Sequence, residues 1–425
     1  MTKRALVLGG GGSRGSYEFG AVVALKELGV EYDTVIGTSI GALNAVFIAQ
    51  GDMDLYEKLW NSITIDRVMK DGINLYDDLS RYRNGEIGKF FKTYRKNGGA
   101  DISPLIHLVR SNIDEEKVRR SPVRLGVVTV KFPSFEPVEI MVDKMPAGSL
   151  VDYVIASASL FPAFPTYKMF GNEYIDGGYY DTVAANFAFD QGAEEVVCFD
   201  LLPSQEHPHL KQRSCVKYIC PARNLGSVLL FEQEVLSSNR RRGYNDTMKN
   251  YGKYAGGEYA FEPGSLLGSR RAAQQLSLSV CRAEAKMAPK NALGKIHMPA
   301  PLSERLNRQL ALFPVSRPEN ELLAAGEICG DLLGADDTEV SRLRLFKHDR
   351  MAQLPTSAAT GAVQRMRGRT PVELRGILNP ASPAMRIAVL AEVLRQDGPT
   401  SPRVVDAAQA FTEEFLAALF ITSAV

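Results

Sequence analysis

The stretch VLGGGGSRGSYEFG (Val7–Gly20) closes an apolar run with four consecutive glycines and then places Arg14 and Gly15 before an apolar-polar pattern. A short apolar run ended by glycine reads as a buried parallel strand, RALVL. The residues from about Ser16 to Leu28 read as a helix that Gly29 stops. YDTVIGTS repeats the theme, with a strand over Thr34–Gly37, and SIGALNAVFIAQG reads as a second helix ended by Gly51. Strand–helix–strand–helix predicts a parallel sheet covered by helices, an α/β fold.

Further along, VRLGVVTV, VEIMV, NEYIDGG, EEVVCFDL and VKYICP read as strands. SLVDYVIASASLFPAFP and VAANFAFDQGA read as helices, the first stopped by prolines, and a long helix is expected from about Leu225. Residues 52–112 read as a mostly helical insertion. After about Gly256 strand-like runs almost vanish, and Ala, Leu and Arg alternate with Pro and Gly breaks. The expected organisation is a domain over 1–255 followed by a helical C-terminal region over 256–425 of unassigned role.

The chain has 425 residues, 45% hydrophobic and 23% charged, with a formal net charge of +1. That balance gives no global attraction to nucleic acid, and none is expected as a partner. Cys198, Cys215, Cys220, Cys281 and Cys329 form no CxxC pair and no metal-ligand spacing and read as reduced thiols, so the cytoplasm is the expected location; no metal and no cofactor are expected. No secretory leader and no apolar run of membrane-spanning length are read, so contact with lipid would be peripheral.

Two chemistries compete for the glycines. Gly10-Gly11-Gly12-Ser13-Arg14-Gly15 satisfies G-x-G-x-x-G between a strand and a helix. The dinucleotide fingerprint also needs an acidic residue at the end of the second strand, where this chain has Gly37-Thr38-Ser39, so the pattern disfavours a nucleotide binder, which tight NAD or ATP binding would revive. The alternative starts from GTSIG (Gly37–Gly41), a G-x-S-x-G placed where a strand turns into a helix. Gly37 and Gly41 leave room for the sharp turn that would project the Ser39 hydroxyl. In a parallel sheet the loops after adjacent strands share one edge. Bare amides of Gly10, Gly11 and Gly12 are then expected to face Ser39 and to receive an oxyanion, with Arg14 adding charge or tying the loop down.

A serine nucleophile needs a base. Asp176, in EYIDGGYYD, ends a strand and is followed by Gly177 and Gly178, which allow a tight exposed turn; Asp181 reads as a helix N-cap. The order Ser39, Asp176, His207 or His209 also admits a Ser-His-Asp triad. The early elbow, and the lack of any histidine before His107, favour a Ser39–Asp176 dyad.

Together, GGGxRG at Gly10–Gly15 with Gly20 after it, GxSxG at Gly37–Gly41, ASASLFPAFP at Ala156–Pro165 and DGG at Asp176–Gly178 resemble the patatin-like phospholipase family, over about Arg4 to Gly252. One departure is the Asp181-Thr182 and Ala184 that follow DGG, where members often carry Asn and Pro. The resemblance implies a metal-free lipid acyl hydrolase acting on phospholipids or lysophospholipids, with Ser39 as nucleophile and Asp176 as base. Gly10, Gly11, Gly12 and Arg14 would form its oxyanion region. The contrasting expectation is a catalytically silent protein on the same scaffold. The apolar tail FTEEFLAALFITSAV is expected to dock on the protein core, and the triplet Arg240–Arg242 to lie on a solvated helix face.

Overall fold

The computed structural model describes residues 3–76, 99–202, 207–287, 300–365 and 371–425. Residues 77–98 of the expected helical insertion lie outside these. The chain divides into two compact units, Met1–Thr247 and Met248–Val425.

The first unit is built on one sheet. Its strands are β1 (Arg4–Leu8), β2 (Thr34–Thr38), β3 (Arg124–Phe132), β4 (Pro137–Met141), β5 (Tyr167–Met169), β6 (Asn172–Asp176), β7 (Glu195–Phe199) and β8 (Val216–Ile219). The order is β5-β6-β3-β2-β1-β7-β8, with β4 beside β3. β3, β2, β1, β7 and β8 run parallel, whereas β4 and β6 pair with β3 antiparallel and β5 pairs with β6 antiparallel. The fold is therefore α/β on a mostly parallel, mixed sheet. Helix α1 (Gly15–Glu27) follows β1 after the glycine loop and a 3-10 turn at Gly12–Arg14, and α2 (Ile40–Gln50) follows β2 with Ser39 alone between them. Both are buried over most of their length, so neither carries a one-sided apolar stripe.

The long strand β3 explains how the two halves of the site meet. Gly126, Val127 and Val128 pair with both β2 and β4, so β4 occupies the edge of β3 opposite β2. Thr129 and Val130 pair with both β4 and β6, so β6 lies on the β2 side. β2 and β6 thus run head to head along one edge of β3. β2 stops with Thr38 opposite Val128, and β6 stops with Asp176 opposite the next residue, Thr129.

Several expectations shift. The helix expected from Leu225 begins at Gln233, and Gly226 adopts φ +83° in the irregular segment before it. The helix before the prolines ends at Ser157, and β5 has no counterpart among the expected strands. Asp181 does not cap a helix. Its Oδ1 accepts the Val183 amide in a local turn, and the following helix starts at Ala185 with Ala184 at its cap position. Gly20 marks a close helix crossing: a Cβ there would lie 1.8 Å from the Arg240 carbonyl oxygen on the helix Gln233–Asn250. Arg240 of the basic triplet is engaged there, with Nη1 donating to Asn61 Oδ1 at 2.5 Å.

Among its described residues the second unit is helical, with a two-residue parallel pairing of Ala260–Phe261 with Val340–Ser341 and an isolated antiparallel bridge between Ala255 and Phe261. Its core gathers Leu276, Leu323, Ile328, Leu390 and the C-terminal helix Thr412–Thr422, of which Phe415, Leu416 and Phe420 are buried. The apolar tail is core. Among the described residues, no helix is long and apolar enough to cross a membrane.

Candidate functional site

Ser39 sits between β2 and α2 with φ 57° and ψ −123°, a strained conformation for a side-chain-bearing residue. The surroundings hold it there. A Cβ on Gly41 would lie 2.2 Å from the Leu8 carbonyl oxygen, and one on Gly37 would lie 2.2 Å from that of Gly41, so only glycine lets the elbow close against β1. The Ser39 amide donates to Ser157 Oγ at 2.9 Å, and Ser157 Oγ donates in turn to the Val128 carbonyl at 2.5 Å. Ser157 lies inside ASASLFPAFP, yet nothing in its spacing announces this role.

The Ser39 hydroxyl donates to Asp176 Oδ2 at 2.5 Å. Asp176 Oδ1 accepts the Gly178 amide at 2.8 Å, and this fixes the carboxylate plane. Gly177 packs where a Cβ would meet the Val128 carbonyl oxygen at 2.3 Å. Burial pushes the Asp176 carboxyl up to about 6, against the opposing pull of the Ser39 and Gly178 hydrogen bonds. A buried carboxylate with a raised pKa, in contact with a hydroxyl, can take that proton near neutral pH.

The glycine loop faces the same cavity, but its amides are not equivalent. Gly10 lies against Ser39, where a Cβ would be 3.4 Å from the Ser39 Cβ. Its amide, however, donates to the Thr182 carbonyl at 3.1 Å, which corrects the expectation that three amides are free. The amides of Gly11 and Gly12 have no acceptor among the described residues, and both glycines line the cavity. Gly12 adopts φ +58° and leaves no room for a side chain, since a Cβ would sit 2.1 Å from the Val228 carbonyl oxygen. Arg14 takes the second of its two expected roles. Its Nε donates to the Gly226 carbonyl at 2.7 Å and its Nη1 to that of Leu201 at 3.2 Å, so it ties the loop down.

Glu18, inside the opening stretch, escaped the sequence reading. It is buried on α1, and its Oε1 accepts the Gly9 amide at 2.7 Å. Its Oε2 accepts Asn44 Nδ2 at 2.7 Å, and Asn44 Oδ1 accepts Trp60 Nε1 at 3.2 Å. Burial holds the Glu18 carboxyl well above the usual range. A buried acid thus pins the root of the glycine loop.

The histidines do not complete a triad. His207 Nδ1 lies 3.1 Å from Asp200 Oδ2, and His209 stacks edge-on against His207. Among the described residues neither touches Ser39 or Asp176.

Ser39, Asp176 and the glycine loop line a cavity of about 300 Å³. Its other walls are mainly apolar, among them Phe47, Trp60, Leu105, Leu108, Phe164 and Phe231. Several come from the residues 52–112. All the lining residues belong to the first unit. The arrangement is a hydroxyl–carboxylate pair and two unspent amides at one end of an apolar chamber, suited to an acyl chain ending in a carbonyl.

Residues 6–189 match the family model described as Patatin-like phospholipase. Lysophospholipase nte1 of Aspergillus terreus is 26% identical over 202 residues, covering 46% of this chain and 12% of that protein. Patatin-like phospholipase domain-containing protein 7 of Mus musculus is 29% identical over 208 residues, covering 46% of this chain and 13% of that protein. The chain therefore spans about an eighth of the length of these curated relatives. Among solved structures, VipD from Legionella pneumophila aligns at TM-score 0.40 and 12% identity, covering 99% of this chain and 90% of that one. The type III effector protein ExoU aligns at TM-score 0.30 and 16% identity, covering 96% and 93%. The family match takes in the elbow, the glycine loop and the carboxylate turn together, and residues 6–189 belong to the patatin-like phospholipase family.

Proposed function

We propose that this protein is a serine lipid acyl hydrolase that cleaves fatty-acyl esters of phospholipids or lysophospholipids through Ser39 and Asp176. The observation that carries the reading is the 2.5 Å hydrogen bond from Ser39 Oγ to Asp176 Oδ2 at the wall of an apolar cavity. The matches to a phospholipase family and to proteins named lysophospholipase support the substrate class.

In this mechanism the Asp176 carboxylate takes the Ser39 proton as Oγ bonds to the acyl carbon. The carbonyl oxygen becomes an oxyanion held by the Gly11 and Gly12 amides. The intermediate collapses with loss of the alcohol, which receives the proton from Asp176, and leaves an acyl-enzyme. Water then attacks the acyl carbon and gives a proton to Asp176. The fatty acid departs, and the proton returns to Ser39 Oγ. A carboxylate is a weak base, so geometry and the amides must supply most of the rate.

The test is acyl release from a panel of phospholipids and lysophospholipids. Ser39→Ala is expected to abolish it and to abolish labelling by a fluorophosphonate probe. Turnover retained by Ser39→Ala, or a folded wild-type protein that neither turns over nor labels, would overturn the reading.

A further inference from the structure

The register of β3 carries its end well past the active-site edge. β2 stops opposite Val128, but β3 continues to Phe132, four residues or about 13 Å further. The β3–β4 turn and the β5–β6 turn therefore project together beyond the level of Ser39, since Phe132 pairs with Glu173 and Met169 with Asn172. Each turn carries a phenylalanine. Phe135 is 54% exposed and Phe170 is 56% exposed.

Three further observations single these tips out. First, Phe135, Phe170, Tyr179 and Tyr180 are all of the exposed large hydrophobic side chains among the described residues of the first unit. Second, Phe135 adopts φ 56° and Phe170 φ 51°, a conformation that bulky residues keep only where the surroundings hold it. The Phe135 amide donates to the Lys131 carbonyl at 2.8 Å, and Asn172 Nδ2 donates to that of Phe170 at 3.2 Å, so both turns are fixed. Third, the β3–β4 tip adjoins the cavity. The Phe135 ring centroid lies 6.4 Å from that of Tyr179, which itself lines the chamber.

We propose that the two hairpin tips form a docking surface for an electrically neutral phospholipid surface and set the mouth of the acyl chamber against it. Charge argues for neutral lipid. Lys131 is paired with Glu136 at 2.9 Å and Lys168 with Glu173 at 3.5 Å, so the tips carry balanced charge and present aromatic rings rather than a basic field. The choice of lipid as occupant rests on the hydrolase reading of the Ser39 site, but the docking itself needs no turnover.

The experiment uses the full chain carrying Ser39→Ala and vesicles of phosphatidylcholine. Co-sedimentation is expected, changing less than about twofold between low and high salt because no net charge is engaged. Adding F135S and F170S is expected to weaken it about a hundredfold, roughly tenfold for each ring withdrawn from the lipid. In the Ser39 protein the same pair should leave hydrolysis of a short, water-soluble acyl ester within about twofold while lowering hydrolysis of vesicle lipid in step with binding. F135W and F170W test the idea without removing apolar surface: their emission should shift to the blue with vesicles, against the buried Trp60. Vesicle binding that is absent, or unchanged in the double serine variant, overturns the proposal, as does a dimer that the same variant dissociates. Soluble-ester turnover without vesicle binding would sink docking and spare catalysis; vesicle binding without turnover would do the reverse.

Discussion

Asp176 in the first unit and Glu327 in the second are both buried carboxyls that burial pushes up, Asp176 to about 6 and Glu327 to about 7. Their partners differ in kind. Glu327 accepts the Gly257 amide at 2.7 Å, those of Glu258 and Tyr259 at 3.3 Å, and Gln309 Nε2 at 2.8 Å. All four are pure donors. Asp176 accepts one amide and one hydroxyl, and a hydroxyl can donate or accept. Burial alone therefore does not make a carboxylate a base. What distinguishes Asp176 is a partner with a proton to give and an apolar chamber beside it, whereas Glu327 is a fastener for the 257–259 turn.

The sharpest way to break this contrast is the neutral isostere at each site. Asp176→Asn is expected to lower kcat/KM for acyl release by at least about a thousandfold, because the proposed base is gone. It should still fold, since the new amide can donate to Ser39 Oγ while its oxygen keeps Gly178. Glu327→Gln instead turns a donor toward donors and is expected to lose about 3 kcal/mol of unfolding free energy, read by denaturant titration. An Asp176→Asn protein that hydrolyses lipid normally, or a Glu327→Gln protein of unchanged stability, would erase the distinction.

A second test is pH. Only ionised Asp176 can accept the Ser39 proton, so kcat/KM is expected to rise through about pH 6 to a plateau. Stability runs the other way. The folded state holds the Asp176 proton more tightly than the unfolded chain, whose ordinary value is 3.8. The contribution is thus fully present below about pH 4 and is lost as pH rises through about 6. Asp176→Asn should remove that slope and raise Tm at pH 8 by a few degrees.

The smallest expected effect is at Ser157. Ser157→Ala leaves the Ser39 amide without its acceptor and is expected to lower kcat about tenfold with little change in KM, as befits a positioning residue. An equal rise in KM with kcat intact would instead point to a role in substrate binding.

The parts legible in the sequence were those where a local pattern and the chemistry coincide. β1 with its glycine loop and β2 with its elbow declare themselves because a buried strand must end in residues that leave room for the turn. Their meeting with Asp176 was legible only as motif order. Of the three antiparallel additions, β4 and β6 read as strands although nothing local gives their direction, and β5 carries too few residues for a period. Which amide of Gly10–Gly12 is free depends on Thr182, distant in sequence, so spacing could not tell. Glu18 and Ser157 were hidden for a related reason. A helix residue facing inward reads as a position on a pattern, and its partner, the Gly9 or the Ser39 amide, appears only once the strands are stacked. The segment before Gln233 read as helix from its leucines, but Leu229 and Phe231 are spent on the cavity wall.

The head-to-head ends of β2 and β6 make β3 a gauge. Thr38 is registered on Val128 and Asp176 on Thr129, and the Val128 carbonyl also steadies Ser39 through Ser157. The interval between hydroxyl and carboxylate is therefore set by a single peptide unit of one strand. Sheet twist or a loop change elsewhere carries both groups along together. A one-residue insertion between Val128 and Thr129 would instead throw the two apart and turn one of them to the opposite face.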